Sequence, residues 1–211
     1  MKVKFKHENG FYLDGRVFCE VYGTLENESE DEVLNLGWLP SMEEKDIWYQ
    51  SRSCRMELSD FVISKKRRNI LKKLTSETSD YIQTQEIDDF FHDYYNKMKF
   101  DIIDDYDNCS KFFKLKILYL RFNGKLVAAA RYVENKFSNT FLNLAYDVKF
   151  PKLSLGTNLF YILADITKIQ NKDYLYVYES YDNCFLYKQK LPNLNLWDGR
   201  KWISDNIYKK I

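Results

Sequence analysis

Asn139-Thr-Phe-Leu-Asn-Leu-Ala-Tyr146, Pro151-Lys-Leu-Ser-Leu-Gly-Thr157 and Tyr174-Leu-Tyr-Val-Tyr-Glu179 follow one another closely, and their reading decides the fold of this chain. The first and last are apolar runs of strand length. Between them Leu155, Leu159, Ile162, Ile166 and Ile169 recur three or four residues apart, which predicts a helix with one apolar stripe. Strand, helix and strand at this spacing make a crossover unit, whose two strands lie parallel and whose connection is right-handed. A functional site is expected where the first strand gives way to the helix. Amides of a first helical turn have no partner inside the helix, and the dipole adds partial positive charge there, so the loop favours an anion or a carbonyl. Gly156 would let a ligand approach that backbone closely.

Upstream, Lys116-Ile-Leu-Tyr-Leu-Arg-Phe122 and Leu126-Val-Ala-Ala-Ala-Arg-Tyr-Val133 flank Asn123-Gly124, a hairpin signal. With residues 139–146 they predict an antiparallel meander that feeds the crossover. Residues 86–99 read as an amphipathic helix whose Ile87, Phe90, Phe91, Tyr94, Tyr95 and Met98 face the core. His92 lies on its other side with no second His or Cys at ligand spacing, so it reads as a surface histidine. Residues 101–107 carry four aspartates without the Gly and terminal Glu of a calcium loop, and read as an acidic surface loop.

Nearer the N-terminus, residues 11–13 and 17–22 predict a hairpin around Asp14-Gly15. Residues 26–32 are acidic and read as solvated surface. Residues 34–39 before Pro40 read as a helix end and turn, and Ile47 opens an extended run through Arg52, Arg55 and Leu58. In Ser64-Lys-Lys-Arg-Arg-Asn-Ile-Leu-Lys-Lys-Leu74, Ser64 is the expected N-cap, and Ile70, Leu71 and Leu74 form a narrow apolar stripe. Lys65, Lys66, Arg67 and Arg68 fill the first turn, where each positive charge opposes the helix dipole at a cost of a few tenths of a kcal/mol. Local stability does not explain that choice. An RNA backbone would, and a solvated basic face is the other reading.

The chain has 211 residues and is 45% hydrophobic, enough core for one large domain or two small ones. Lys plus Arg (32) nearly balances Asp plus Glu (31), so attraction to nucleic acid must come from local clustering. Cys19, Cys54, Cys109 and Cys184 are far apart and form no C-x-x-C pair, which argues against a zinc knuckle or a disulfide frame and fits a reducing cytoplasm. Met1-Lys-Val-Lys-Phe-Lys6 lacks the apolar core of a signal peptide, and no run reaches the roughly 18 apolar residues of a span, so no membrane partner is expected. The many Tyr and Phe residues read as core, with base stacking as the alternative.

The order meander, helix, parallel strand resembles the Gcn5-related acyltransferase core. That resemblance implies an α+β fold: a mixed sheet with a splayed parallel strand pair, and the acyl donor in the gap. Acetyl-CoA members carry a Gln/Arg-x-x-Gly-x-Gly/Ala loop. Here the loop is Lys152-Leu-Ser-Leu-Gly-Thr157, with Ser154 where the first glycine would be, so a diphosphate would meet a more crowded backbone and no cofactor is expected. Read from Tyr146-Asp147 through Leu153-Ser-Leu-Gly-Thr157, the loop resembles the aminoacyl-tRNA–protein transferases, the arginyltransferases and bacterial aspartate-glutamate leucyltransferases. Gly10-Phe-Tyr-Leu-Asp-Gly-Arg16 looks like that family's Cys-x-Tyr-Leu-Pro-Gly-Arg segment, and Leu36-Gly-Trp38 resembles its Leu-Gly-Phe/Trp turn. Phe61-Val-Ile-Ser-Lys-Lys-Arg-Arg-Asn-Ile-Leu71 is similar to its Phe-x-Pro-Ser-x-Ser-Gln-Arg-Arg-x-Leu signature, the most specific match. Asn183-Cys-Phe-Leu-Tyr-Lys188 keeps the Tyr and Lys of Cys-Pro-Lys-Met-x-Tyr-Lys. The family's N-terminal cysteine cluster is missing, with Gly10 in place of one cysteine, so no metal is expected. The tail after Lys190 also departs, with Trp197 and Trp202 in a polar setting.

The resemblance implies an N-terminal lobe over residues 1–75, with hairpin and basic helix, an acyltransferase-like core over 76–211, and partners in aminoacyl-tRNA and an acceptor protein or peptide. It implies transfer of an amino acid from charged tRNA to the acceptor's amine. Aminolysis of that ester needs a base, an oxyanion site and a proton donor for the leaving hydroxyl. Glu179, at a strand end, is the candidate base or amine anchor. Ser154, Leu155, Gly156 and Thr157 supply loop amides, and Tyr187 is the proton donor or a packed aromatic. Lys188 is carried over as a substrate-binding position, and Asp147 could recognise an incoming amine. Arg52 and Arg55 could pair with an acidic acceptor residue, or serve as salt-bridge partners on a half-exposed strand. Lys65 to Arg68 would take acceptor-stem phosphates. The alternatives are a CoA-dependent N-acyltransferase and a non-catalytic tRNA- or degron-binding module. The oligomeric state stays open.

Overall fold

Residues 1–4, 9–11, 17–19, 21–99, 110–179 and 183–204 are described by the computed structural model. In chain order the first strands are β1 (Lys2–Lys4), β2 (Asn9–Phe11), β3 (Val17–Cys19), β4 (Val21–Thr24), β5 (Trp38–Pro40), β6 (Ile47–Gln50) and β7 (Ser53–Glu57). They are followed by β8 (Thr75–Asp80), β9 (Leu115–Phe122), β10 (Lys125–Glu134), β11 (Ser138–Tyr146), β12 (Tyr174–Glu179), β13 (Leu194–Trp197) and β14 (Trp202–Ser204). The helices are α1 (Glu30–Asn35), α2 (Lys65–Leu71), α3 (Gln85–Met98) and α4 (Leu155–Ile169).

The central element is β10, whose apolar run is buried along its whole interior. A strand hidden on both faces needs a layer on each side. One face packs on α4: Leu159, Phe160, Leu163 and Ala164 meet Leu118, Leu120, Ala128 and Ala130. The other face is shared. Ile87, Phe91, Tyr94 and Tyr95 of α3 cover Ile117, Ala129 and Ala145, while Val33, Leu34, Trp38, Leu39 and Trp48 cover Leu115, Val133, Leu142 and Tyr176. The large sheet has eight strands in the order β14-β13-β7-β12-β11-β10-β9-β8, and β11 with β12 is its parallel pair among otherwise antiparallel neighbours.

The expected hairpin turns at Asn123 and Gly124, with φ of 50° and 78°, the left-handed pair that a tight two-residue turn requires. The meander continues through β11 as expected. The early hairpin is present as β2 paired with β3, although its turn lies outside the described residues, as does the acidic segment 101–107. Residues 26–32 lead into α1, where Ser29 and Glu32 form a reciprocal capping box. Ser64 caps α2 by accepting from the Arg67 amide.

Three readings are corrected. The buried stripe of α4 runs through Leu155, Leu159, Leu163 and Thr167, whereas Ile162 and Ile166 are only partly covered and Ile169 is 73% exposed. Arg52 and Arg55 do not stand on a half-exposed strand: β7 lies inside the large sheet between β12 and β13, and both arginines are buried. Trp197 is likewise buried, its indole lying against Gly37. The same event explains the last two, because the C-terminal strands β13 and β14 extend the sheet beyond β7 and close over it.

Residues 2–50 also form a four-stranded sheet, β1-β4-β6-β5, packed on the large one. The sequence boundary at residue 75 falls at the first residue of β8, while β7, on its N-terminal side, already belongs to the large sheet. Asp31 ties α1 to the β10–β11 connection: its carboxylate accepts from the amides of Lys136 and Phe137 and from Ser138 Oγ, at 2.9, 3.2 and 2.9 Å. No helix among the described residues is long and apolar enough to cross a membrane.

Candidate functional site: the cleft between β11 and β12

The parallel strands stay together only at one end, where Ser138, Asn139 and Thr140 pair with Tyr174, Leu175 and Tyr176. That closed end is pinned by Asn139, whose Nδ2 donates to Thr167 Oγ1 and Gln170 Oε1 and whose Oδ1 accepts from Lys172 Nζ. Beyond it the strands part, because each carries an irregularity. In β11 the pairing with β10 shifts between Arg131 and Tyr132, which leaves Leu142 as the extra residue. In β12 the register against β7 shifts between Tyr176 and Glu179, and Tyr178 has φ of 66°. Extra residues of this kind bend a strand and break its ladder. The result is a cleft of about 820 Å³.

Side chains hold the β12 bulge open. The buried Lys188 ammonium donates to the carbonyls of Val177 (2.8 Å) and Glu179 (2.7 Å), and the Cys54 thiol donates to the Tyr178 carbonyl. The Tyr178 hydroxyl donates to the Pro40 carbonyl at 2.7 Å. Glu179, 7% exposed, is therefore delivered to the cleft wall by a braced backbone. Replacing Lys188 by Met is expected to cost about 3 kcal/mol, since two carbonyls lose a charged donor in a buried place. A urea midpoint that falls with an unchanged slope would show it, and wild-type stability would remove the brace.

Across the cleft lies the loop into α4. Ser154 sits in the left-handed region (φ 48°) and makes no side-chain cap, so the first-turn amides of α4 have no capping side chain at the mouth. Gly156 is explained from inside the protein: a Cβ there would stand 2.9 Å from Tyr146 Cε1, so the glycine makes room for that ring. The loop is held by Asn158, whose Nδ2 donates to the Leu153 carbonyl and whose Oδ1 accepts from Arg67 Nη1. Tyr94 completes the wall. Burial, with Tyr146 beside it, pushes its phenol well above the ordinary range, so it stays protonated.

The structure thus brings Glu179, Tyr187, Lys188, Asp147, Ser154, Leu155, Gly156 and Thr157 to one cleft. Asp147 at its edge pairs with Lys125 at 3.5 Å and accepts from the Lys149 amide. The remaining candidates lie elsewhere. Arg55 donates to Asn35 Oδ1 at 2.7 Å and its guanidinium lies over Tyr174 and Trp202, and Arg52 is buried outside the cleft lining. Of the basic turn, Lys65, Lys66 and Arg68 are exposed, whereas Arg67 bonds Asn158 and lies over Tyr161. Sequence reasoning missed Tyr94, Tyr95, Met98, Asn143 and Tyr178 as cleft residues. Only Asn143 left a signal, a polar residue between two leucines. Among the described residues no group of three or more His, Cys, Asp or Glu could hold a metal ion.

With this geometry in view, the chain is similar to the crystal structure of FemX: TM-score 0.54 at 7% identity, covering 90% of this chain and 67% of that one. The likeness is one of fold, a mixed α+β architecture built on one large mixed sheet. Weaker likenesses are L-PGS from Bacillus licheniformis, with TM-score 0.47, 18% identity and coverage of 60% and 44%, and a GCN5-related glucosamine N-acetyltransferase region of a fungal multi-domain β-N-acetylglucosaminidase, with TM-score 0.45, 9% identity and coverage of 83% and 23%. The chain spans less than half the length of that L-PGS. No protein-family model matches the sequence, and no curated protein does so either. Likeness at this identity establishes the fold, and the chemistry has to be argued from the cleft.

Proposed function

We propose that this protein is an aminoacyl-tRNA-dependent transferase that moves an amino acid to the amine of a protein or peptide, of the arginyl- or leucyl-tRNA–protein transferase kind. The observation that carries the reading is the convergence, in one splayed cleft, of Glu179, Tyr187 and Asp147 with the uncapped first turn of α4. Glu179 takes a proton as the acceptor amine bonds to the ester carbonyl carbon. The amides of Leu155 to Thr157 stabilise the resulting oxyanion. When the carbon–oxygen bond to the ribose breaks, Tyr187 protonates the departing 3′ oxygen, and exchange through solvent returns the proton held by Glu179 to Tyr187. Lys65 and Lys66 hold acceptor-stem phosphates. Two features speak against a diphosphate at the loop: Ser154 in the left-handed region, and Gly156 accounted for by Tyr146. A supply of charged tRNA fits a cytoplasmic protein.

The test is incubation with radiolabelled charged tRNAs and peptides beginning with Asp, Glu or other residues. Label is expected in the peptide, and no transfer to any peptide would overturn the reading. Lys65→Ala/Lys66→Ala is expected to weaken tRNA binding and to flatten its log–log salt slope by about 2, one per lost phosphate contact. An unchanged slope would take RNA away from α2. The uncapped end of α4 also favours a second reading, a CoA-dependent N-acyltransferase, which thermal stabilisation by acetyl-CoA would select. Salt-sensitive tRNA affinity without turnover would instead select a non-catalytic binding module.

A further inference from the structure

This fold satisfies most of its buried asparagines. Asn135 donates to Ser138 and Thr140, Asn139 holds Thr167, Gln170 and Lys172, and Asn158 joins Leu153 to Arg67. Asn143 is the exception. Its side chain is 7% exposed, and among the described residues neither its Oδ1 nor its Nδ2 has a hydrogen-bond partner. A buried polar group without a partner requires a reason. Its position suggests one, because Asn143 lines the cleft. It stands opposite Arg131 in the β10–β11 register, and Arg131 lies over Phe91 of α3, so both belong to the α3 face of the sheet. There the cleft wall is completed by Tyr94, Tyr95 and Met98.

We propose that Asn143 is a specificity-determining residue that reads an amide group of the substrate. A carboxamide presents one acceptor and one donor side by side. A ligand carboxylate could engage only Nδ2, and an ammonium only Oδ1. The N–H and C=O of one extended residue, which point to the same side and belong to successive trans peptide bonds, offer the complementary pair and satisfy both. The aromatic and thioether wall takes the flanking aliphatic carbons. This inference rests on the transferase reading for the source of that pair, the second residue of the acceptor, whose N–H belongs to the first peptide bond. Pantetheine carries the same chemistry, and the test separates the two.

The full chain, ¹⁵N-labelled, is titrated with a tripeptide beginning with Asp, with its depsipeptide twin whose first peptide bond is an ester, and with acetyl-CoA. The side-chain NH₂ signals of Asn143 are assigned by their loss in Asn143→Leu. They are expected to move with the peptide and not with the twin, and Asn143→Leu is expected to bind the peptide about tenfold more weakly, the loss of one good hydrogen-bonded contact. Free Asn143→Leu should melt roughly 3 °C higher than wild type, because two unsatisfied atoms leave a buried place. Signals that move with acetyl-CoA alone would keep the amide site and reject the charged-tRNA donor. Signals that move with no ligand, an equal response to peptide and twin, unchanged peptide affinity in Asn143→Leu, or a lower melting temperature would each overturn the proposal.

Discussion

Glu179→Gln is expected to slow aminoacyl transfer by at least about 10²-fold, the usual contribution of a positioned general base, while tRNA affinity stays at the wild-type value. The substitution keeps the shape of the side chain and removes its capacity to take a proton. Because the backbone of residues 177–179 is braced by Lys188 and Cys54, the amide should occupy the same place as the carboxylate. Single-turnover transfer measured beside tRNA binding separates the two effects. Full activity would rule the residue out as the base, and a parallel loss of tRNA affinity would make it a binding group.

Gly37→Ala is expected to cost about 3 kcal/mol or more, by adding left-handed backbone strain to overpacking. Gly37 has φ of 77°, and a Cβ there would fall 2.4 Å from Cδ2 of Trp197. That indole is buried and packs edge-on against Trp202, so it has little room to move. Gly124→Ala is the companion measurement. Its φ is nearly the same, 78°, and nothing lies within 4 Å, so it reports the backbone cost alone, about 1 kcal/mol. Equal losses in the two variants, read from urea midpoints, would show that the contact between Gly37 and Trp197 contributes nothing.

Much of the candidate site is legible in the sequence because its signals are local. A left-handed turn needs residues such as Asn123 and Gly124 wherever the chain goes next, and a crossover declares itself by spacing. Glu179 was found as a residue at a strand end for the same reason. Its support was not, since the Tyr178 bulge and the Lys188 brace depend on contacts no short window contains. The loop serine was also visible, but the reason for Gly156 lies in a ring ten residues earlier, brought back over it by the fold.

Local patterning in the chain determined the meander, the crossover and the Ser64 cap of α2. Tertiary packing decided which face of α4 is buried, because Leu163 and Ile166 are equally apolar and only the sheet beneath selects between them. It also made a strand of Thr75–Asp80, six exposed polar residues held by their ladder to β9. Likewise it buried Arg55 and Trp197, through strands that arrive some 140 residues after β7. Burial is a property of what covers a residue, and in this molecule the covering segments come from distant parts of the chain.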